Sequence, residues 1–223
     1  RRSSCSLVNE KLQSKNMEIQ KTQKYPVIHR MKQRSEAWNE IRKGRLTASN
    51  AHIIATNGKG LNTYVYEILA EKYALNSEEP YTSLDMARGI ELEDQARMAY
   101  EIEYQEVEQV GFIEMDEHTG ASPDGLIEKD GGIEIKCVDN KNFFRLMVDG
   151  EEAIEPKYLW QCQMLMLVGG RKFWKLVFYN KNFSPNILIF TFTPDIMAQE
   201  KLIIGIENGK KLIREIEERL CKK

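Results

Sequence analysis

The chain has 223 residues and a formal net charge of −2 at pH 7, with 42% hydrophobic and 30% charged residues. These values predict one globular domain with a single sizeable core, and they exclude a protein that is basic throughout, so any nucleic-acid contact must come from a local basic patch. The sequence shows neither an apolar run that could span a membrane nor a secretory signal, so we expect an intracellular, non-secreted protein.

The N-terminal part is predicted to be a polar arm followed by helices. Residues 1–32 hold few apolar anchors and are predicted to form a mobile arm, with residues 33–223 as a single domain. Apolar residues at helical spacing predict the next elements. These are a short helix from Ser35 to near Gly44, a helix starting at Ala51, and helices over 64–74 and 85–104.

The C-terminal part alternates strand and helix patterns. Strands are predicted over 107–115, 120–127, 132–138, 172–179 and 186–193, and helices over 143–148, 156–168 and 194–220. Helices before and after a central run of strands indicate an α/β fold in which helices flank a mixed sheet.

The most informative stretch is a predicted hairpin with Asp124 before one strand and Glu134-x-Lys136 on the next. Strand alternation places Glu134 and Lys136 on one face, while Ile133 and Ile135 point into a core. A tight hairpin folds Asp124 back toward Glu134. Two carboxylates and an ammonium suit Mg²⁺-assisted phosphodiester hydrolysis. A solvated hairpin with weak ion pairs is the alternative that this motif alone leaves open.

Three further polar side chains lie in helix patterns. Glu93 borders the apolar stripe of its predicted helix, where its carboxylate could face a site or solvent. Gln161 and Gln163 lie in an otherwise apolar helix, and buried amides need hydrogen-bond partners. Either amide could therefore satisfy neighbouring backbone groups or reach into a polar cleft.

A small basic and hydroxyl-bearing cluster marks the first helix boundaries. It consists of Arg42, Lys43, Arg45, Thr47 and Ser49. Guanidinium groups, hydroxyls and free amides at a helix start commonly bind phosphate. Arginine-rich helix ends without any ligand are also common, so the cluster alone is a weak indication.

Five blocks of residues stand in a fixed order along the chain. They are Arg42-x-Gly44-x-x-Thr47-Ala48-Ser49, Gly89-x-x-x-Glu93, Ser122-Pro123-Asp124-Gly125, Glu134-x-Lys136-Cys137 and Tyr158-x-x-Gln161-x-Gln163. This order resembles the phage lambda exonuclease family, the YqaJ-like viral recombinase nucleases of the PD-(D/E)XK superfamily, over about residues 33–180. The resemblance implies a restriction-endonuclease-like core with a central mixed β-sheet flanked by helices.

The resemblance also implies a catalytic centre. Asp124, Glu134, Glu93 and the backbone carbonyl of Ile135 would ligate metal, most simply two Mg²⁺ ions for which Mn²⁺ substitutes. Lys136 would orient the attacking water and stabilise its deprotonated form. Gln161 falls on the family's active-site glutamine helix.

Four other positions match phosphate- or DNA-contacting positions of the family. Arg42 and Ser49 match the pocket for a 5′-terminal phosphate, Ser122 matches another phosphate contact, and Arg145 matches a further family block.

The activity implied is that of a Mg²⁺-dependent 5′-to-3′ double-strand DNA exonuclease. It would release 5′-mononucleotides and leave 3′ single strands for recombination. Double-stranded DNA ends, a single-strand annealing protein and two further copies in a homotrimer would be its partners, with no membrane, in the cytoplasm or at the nucleoid. The alternatives are a restriction-like or junction-resolving endonuclease of the same superfamily, and a non-catalytic DNA-binding module.

Overall fold

The structure, a computed structural model, describes residues 26–75 and 84–222. Its helices are α1 (Glu36–Arg42), α2 (Ala51–Thr56), α3 (Lys59–Tyr73), α4 (Leu84–Glu103), α5 (Asn140–Asp149), α6 (Pro156–Gly169) and α7 (Ile196–Cys221). Its strands are β1 (Val27–His29), β2 (Leu46–Thr47), β3 (Phe112–Asp116), β4 (Thr119–Ala121), β5 (Gly125–Ile127), β6 (Gly131–Cys137), β7 (Phe173–Tyr179) and β8 (Ile187–Phe192). Short 3₁₀ helices cover Ala48–Asn50 and Gly150–Ala153.

The strands form two mixed four-stranded sheets. The N-terminal sheet has the order β1-β3-β4-β2, in which only the β2–β4 pair is parallel. The C-terminal sheet has the order β5-β6-β7-β8, in which only the β6–β7 pair is parallel. The predicted α/β class, with mixed sheet flanked by helices, is confirmed, although the strands are divided between two sheets.

The division falls inside the segment that was predicted as one strand over 120–127. β4 ends at Ala121 in the N-terminal sheet, and β5 begins at Gly125 in the C-terminal sheet. The residues between them, 122–124, form what we call the junction. Pro123 has no backbone N–H to give to a ladder, so the strand stops here. The predicted hairpin itself is confirmed, with Gly125 of β5 opposite Ile133 of β6.

The segment predicted as a polar arm contributes a strand. Val27–His29 pairs antiparallel with β3 along the edge of the N-terminal sheet. The sequence analysis missed β1 because a strand of only three residues shows too little alternation to detect. Residues 1–25, most of the predicted arm, lie outside the described residues.

The C-terminal sheet lies between α4 and α6. One of its faces carries Ile133, Ile135, Val177 and Tyr179, which pack with Ala96 and Tyr100 of α4. The opposite face carries Trp174, Leu176 and Phe178, which belong to the larger core with α6. Because side chains alternate along β6, Glu134 and Lys136 lie on the α6 face.

The long C-terminal helix closes the larger core. α7 packs against α2 and α3 with Leu202, Ile206 and Ile213 buried. Gly205 faces α2 so closely that a β-carbon there would lie 1.9 Å from the backbone oxygen of Ile54. Among the described residues, no helix has the length and apolar character that a membrane span requires.

Candidate active site

Four of the predicted catalytic side chains meet at the junction and β6. The Lys136 ammonium donates to Glu134 Oε1 at 2.8 Å, and Gln161 Nε2 of α6 donates to the same oxygen at 2.6 Å. The backbone N–H of Ile135 donates to Asp124 Oδ2 at 2.6 Å. The antiparallel hairpin therefore brings Asp124 to Glu134, as the strand pattern predicted, and α6 supplies the amide.

The two neighbouring carboxylates, Asp124 and Glu134, repel each other, and their charges shift the pKa values of the cluster. Burial and the neighbouring Glu134 carboxylate raise the pKa of Asp124 well above its usual value, and the more distant Glu93 adds to the effect. Burial would lower the pKa of Lys136, but Glu134 and Asp124 outweigh it and raise that pKa above its usual value. The protonated form of Lys136 is thus favoured in this site, and the two carboxylates beside each other favour further positive charge there.

The donor set fits a hard divalent cation. Glu134 Oε2 is buried without a hydrogen-bond partner, while Oε1 takes both donors. An orphaned carboxylate oxygen beside a second carboxylate is the kind of oxygen ligand that Mg²⁺ prefers. Over residues 26–75 and 84–222, however, no three His, Cys, Asp or Glu side chains converge closely enough to hold an ion between them.

The third predicted ligand, Glu93, is engaged by an arginine. Arg34 Nη2 lies 2.5 Å from Glu93 Oε2, with the arginine half exposed and the glutamate mostly covered. Glu93 is near enough to affect the pKa of Asp124. The sequence analysis missed Arg34. Its backbone has a φ of +63°, a conformation that favours glycine. An arginine in the sequence therefore gives no indication of it.

A second cluster joins α1 to the junction. Arg42 Nη1 donates to Ser122 Oγ at 2.8 Å, and Trp38 Nε1 donates to the same oxygen at 3.0 Å. The Arg42 guanidinium lies 4.2 Å from the Trp38 ring centroid, and burial lowers the pKa of Arg42. We call Trp38, Arg42 and Ser122 the arginine pocket. The role of Trp38 was missed, although its spacing of four residues from Arg42 on one helix could have indicated it.

Two predicted DNA contacts stand apart from these clusters. Ser49 is exposed on the 3₁₀ helix that follows β2, and no contact among the described residues joins it to Arg42 or Ser122. Arg145 is 63% exposed on α5 and pairs with Asp149 at 3.5 Å. Their proposed contacts with DNA therefore depend on the substrate reaching them.

Two other polar residues have structural partners. Gln163 donates to the backbone oxygen of Thr193 and accepts from the N–H of Asp195, both at 2.9 Å. Its amide thus holds the start of α7, which settles the alternative that the sequence left open. Arg45 pairs with Glu114 at 2.9 Å and ties β2 to β3.

A cleft of about 440 Å³ lies where β6 and β7 end. Its lining includes Leu92, Val138, Asn140, Lys141, Asn180 and Lys181. Leu92 precedes Glu93, and Val138 follows Lys136 by two residues. The polar lining of the cleft consists of amides, two lysines and the Asp139 carboxylate, and the four clustered side chains are not among its lining residues.

The chain is similar to a known protein family and to solved structures of nucleases. Residues 37–172 match the YqaJ-like viral recombinase domain. The crystal structure of an alkaline exonuclease, LHK-Exo, from Laribacter hongkongensis is similar, with 26% identity and a TM-score of 0.72 over 84% of this chain and 99% of that one. The same enzyme in complex with dAMP gives 26% identity and a TM-score of 0.71, over the same shares of both chains.

A more distant likeness concerns the fold alone. A phage-related exonuclease from Haemophilus somnus 129PT has 14% identity and a TM-score of 0.62, over 82% of this chain and 99% of that one. No curated protein matches the sequence.

Proposed function

The chain belongs to the YqaJ-like viral recombinase family and is a nuclease. On that premise we propose that it is a Mg²⁺-dependent exonuclease. It degrades duplex DNA from the 5′ end and leaves 3′ single strands. The observation that carries the proposal is the arginine pocket. Arg42 donates to Ser122, two residues before Asp124, so the proposed site for a terminal phosphate is close in sequence to the proposed site of hydrolysis.

The contacts support the proposed hydrolytic roles. Asp124 and Glu134, through its unpartnered oxygen, would hold a cation, and Glu93 would join once it leaves Arg34. When bound, a divalent cation neutralises charge on the scissile phosphate and acidifies the attacking water. Gln161 fixes the Glu134 carboxylate through its hydrogen bond.

The charge state of Lys136 limits what it can do. Although burial opposes it, Glu134 and Asp124 raise the pKa of Lys136 in the metal-free site, which favours a protonated lysine over a general base. It would instead orient the water and stabilise the negative charge that develops during attack. This is the stabilising role that the family resemblance implies, rather than that of a general base.

The arginine pocket favours an exonuclease over an endonuclease. A terminal phosphate carries more negative charge than an internal phosphodiester, and a half-buried guanidinium with a hydroxyl and an indole N–H can bind it through charge-assisted hydrogen bonds. An endonuclease has no need for such a pocket beside its carboxylates. The 3′ strand left by resection would pass to a single-strand annealing protein.

Assembly as a homotrimer is part of the proposal. α5 exposes Phe144, Met147 and Val148, at 58%, 39% and 66% of their surfaces. Apolar side chains that cluster on one exposed helix are typical of surfaces covered by a partner. The proposed partner is a second copy of this chain.

One experiment tests end recognition. Linear duplexes with 5′-phosphate or 5′-hydroxyl ends, together with a closed circle, are digested in Mg²⁺ by the wild type and by Arg42→Ala. The wild type should prefer 5′-phosphate ends by more than about tenfold, since a charge-assisted contact is worth roughly 1.5–3 kcal/mol, and it should spare the circle. The variant should lose the preference.

Arg45→Ala is the matched control for this experiment. It removes a neighbouring arginine that binds Glu114 rather than Ser122, so it should keep the preference for 5′-phosphate ends. Equal digestion of both ends by the wild type, or cleavage of the circle, would favour the endonuclease alternative.

A further inference from the structure

We propose that Arg34 is an internal counter-ion of Glu93 that a divalent cation displaces, and that the displaced guanidinium then binds a backbone phosphate of the DNA. The proposal rests on the proposed function only in taking a divalent cation and DNA as ligands, not in the direction of cleavage. The observation behind it is the ion pair that Arg34 forms with Glu93.

The position of Arg34 is fixed by the residues on either side. The Gln33 amide donates to the backbone oxygens of Pro123 at 2.8 Å and Val110 at 3.1 Å. Ser35 caps α1 by accepting from the Trp38 N–H. Between these anchors Arg34 adopts its left-handed φ of +63°. The backbone is therefore held against the junction, and the side chain is left to move.

The left-handed backbone costs a non-glycine residue free energy, because the β-carbon crowds the backbone in that region. The contact that the conformation permits is the ion pair to Glu93, whose arginine is 49% exposed. A half-exposed pair is weakly held, because water and salt screen the attraction between its charges. A doubly charged cation at the same carboxylate interacts more strongly than a guanidinium, so exchange is favourable when the cation is available.

The exchange also puts positive charge where the substrate needs it. Before exchange Arg34 offsets the charge of Glu93 through their ion pair. After exchange the guanidinium lies within one side-chain length of the carboxylates and faces solvent. Arginine in that position suits a phosphate oxygen in a fork geometry.

The first test measures metal binding without DNA. Isothermal titration of Mn²⁺ into the metal-free protein compares the wild type with Arg34→Gln and Arg34→Gly; the glycine variant adopts the left-handed φ freely and guards against misfolding. Both should bind Mn²⁺ about threefold more tightly, because the competing cation is gone. In a Glu93→Gln background the Arg34 substitution should have no effect.

The second test measures binding of a linear duplex by fluorescence anisotropy over a range of KCl concentrations. In Ca²⁺ the slope of log affinity against log salt should be shallower by about 0.9 in Arg34→Gln, because the variant neutralises one phosphate fewer than the wild type. In EDTA, where Arg34 remains on Glu93, the slopes of the wild type and the variant should agree.

The control for both tests is Arg30→Gln. Arg30 pairs with Glu108 at 2.7 Å, and both side chains are largely exposed. The Arg30→Gln substitution therefore removes a nearby arginine whose partner is Glu108 and not Glu93. It should leave Mn²⁺ affinity unchanged. Unchanged or weaker Mn²⁺ binding by the Arg34 variants, or equal salt slopes in Ca²⁺, would overturn the proposal. Neither result depends on whether the enzyme prefers 5′ ends, so the two proposals fail separately.

Discussion

The metal-free fold disfavours the ionised form of the Asp124 carboxyl group. Because its pKa is raised by burial and by Glu134, the folded protein holds the proton more tightly than the unfolded chain. Its contribution to stability is thus present below the unfolded pKa of about 3.9 and is lost as pH rises through the folded value.

Asp124→Asn should therefore stabilise the metal-free protein at pH 8 while abolishing cleavage. The gain in Tm should be on the order of 2–4 °C, the shift that about 1 kcal/mol gives in a domain of this size, and it should shrink toward pH 4. Calorimetry across this pH range checks the sign. Mg²⁺ should raise the Tm of the wild type but not that of the variant. A lower Tm for the metal-free variant at pH 8 would contradict the charge argument.

The two helix glutamines should separate chemistry from stability. Gln161→Leu removes the donor to Glu134 Oε1 and should lower the cleavage rate at least about tenfold, equivalent to about 1.4 kcal/mol of barrier. Gln163→Leu removes two bonds to the start of α7. It should cost about 1–3 kcal/mol of unfolding free energy with the rate of the folded enzyme nearly unchanged. Denaturant titration and single-turnover kinetics on both variants check the contrast.

At the scale of elements, the close contact of α7 with α2 depends on a glycine, Gly205, which has no side chain. Gly205→Ala should place its β-carbon against the Ile54 backbone oxygen, which cannot move aside without shifting α2. We expect a loss of about 1–3 kcal/mol, as for other overpacked cores. Gly60→Ala in α3 is the control, because its β-carbon would meet Ile53 at an ordinary 3.5 Å. Urea denaturation should show the control to be neutral or slightly stabilised.

How well the sequence predicted the elements depended on how local their causes are. The hairpin, and the shared face of Glu134 and Lys136, follow from alternation and turn chemistry within about a dozen residues. The long α7 follows from its helical periodicity. The break at Pro123 was missed, although proline in a central strand was a visible warning.

The parts that were missed depend on residues distant in the sequence. Strand β1 is defined by its pairing with β3, more than eighty residues later. Arg34 meets Glu93 only because its backbone turns left-handed and the intervening chain folds back. Gln161 and Gln163 look alike in the sequence, and only the tertiary fold gives them different partners.

For the whole molecule, the exposed face of α5 should govern assembly. Phe144→Glu adds a charge to the apolar surface at a site that is 58% exposed, so the protomer should still fold. If this face joins copies, light scattering after size exclusion should show a trimer for the wild type and a monomer for the variant. Ile196→Glu, at a site that is 70% exposed on another helix, is the control and should leave the mass unchanged. A wild-type monomer would remove trimerisation from the proposal.

The junction joins two sheets with only Ser122, Pro123 and Asp124. The residue held by Arg42 and the residue placed beside Glu134 are two positions apart, and two residues of chain span at most roughly 7 Å. If Arg42 holds the end of a strand and Asp124 holds the catalytic cation, as proposed, covalent geometry limits the distance between these two points. Pro123 restricts this segment of backbone further, because the proline ring fixes φ. The size of the fragment released at each step would then be set by the peptide backbone, whatever the base sequence of the DNA.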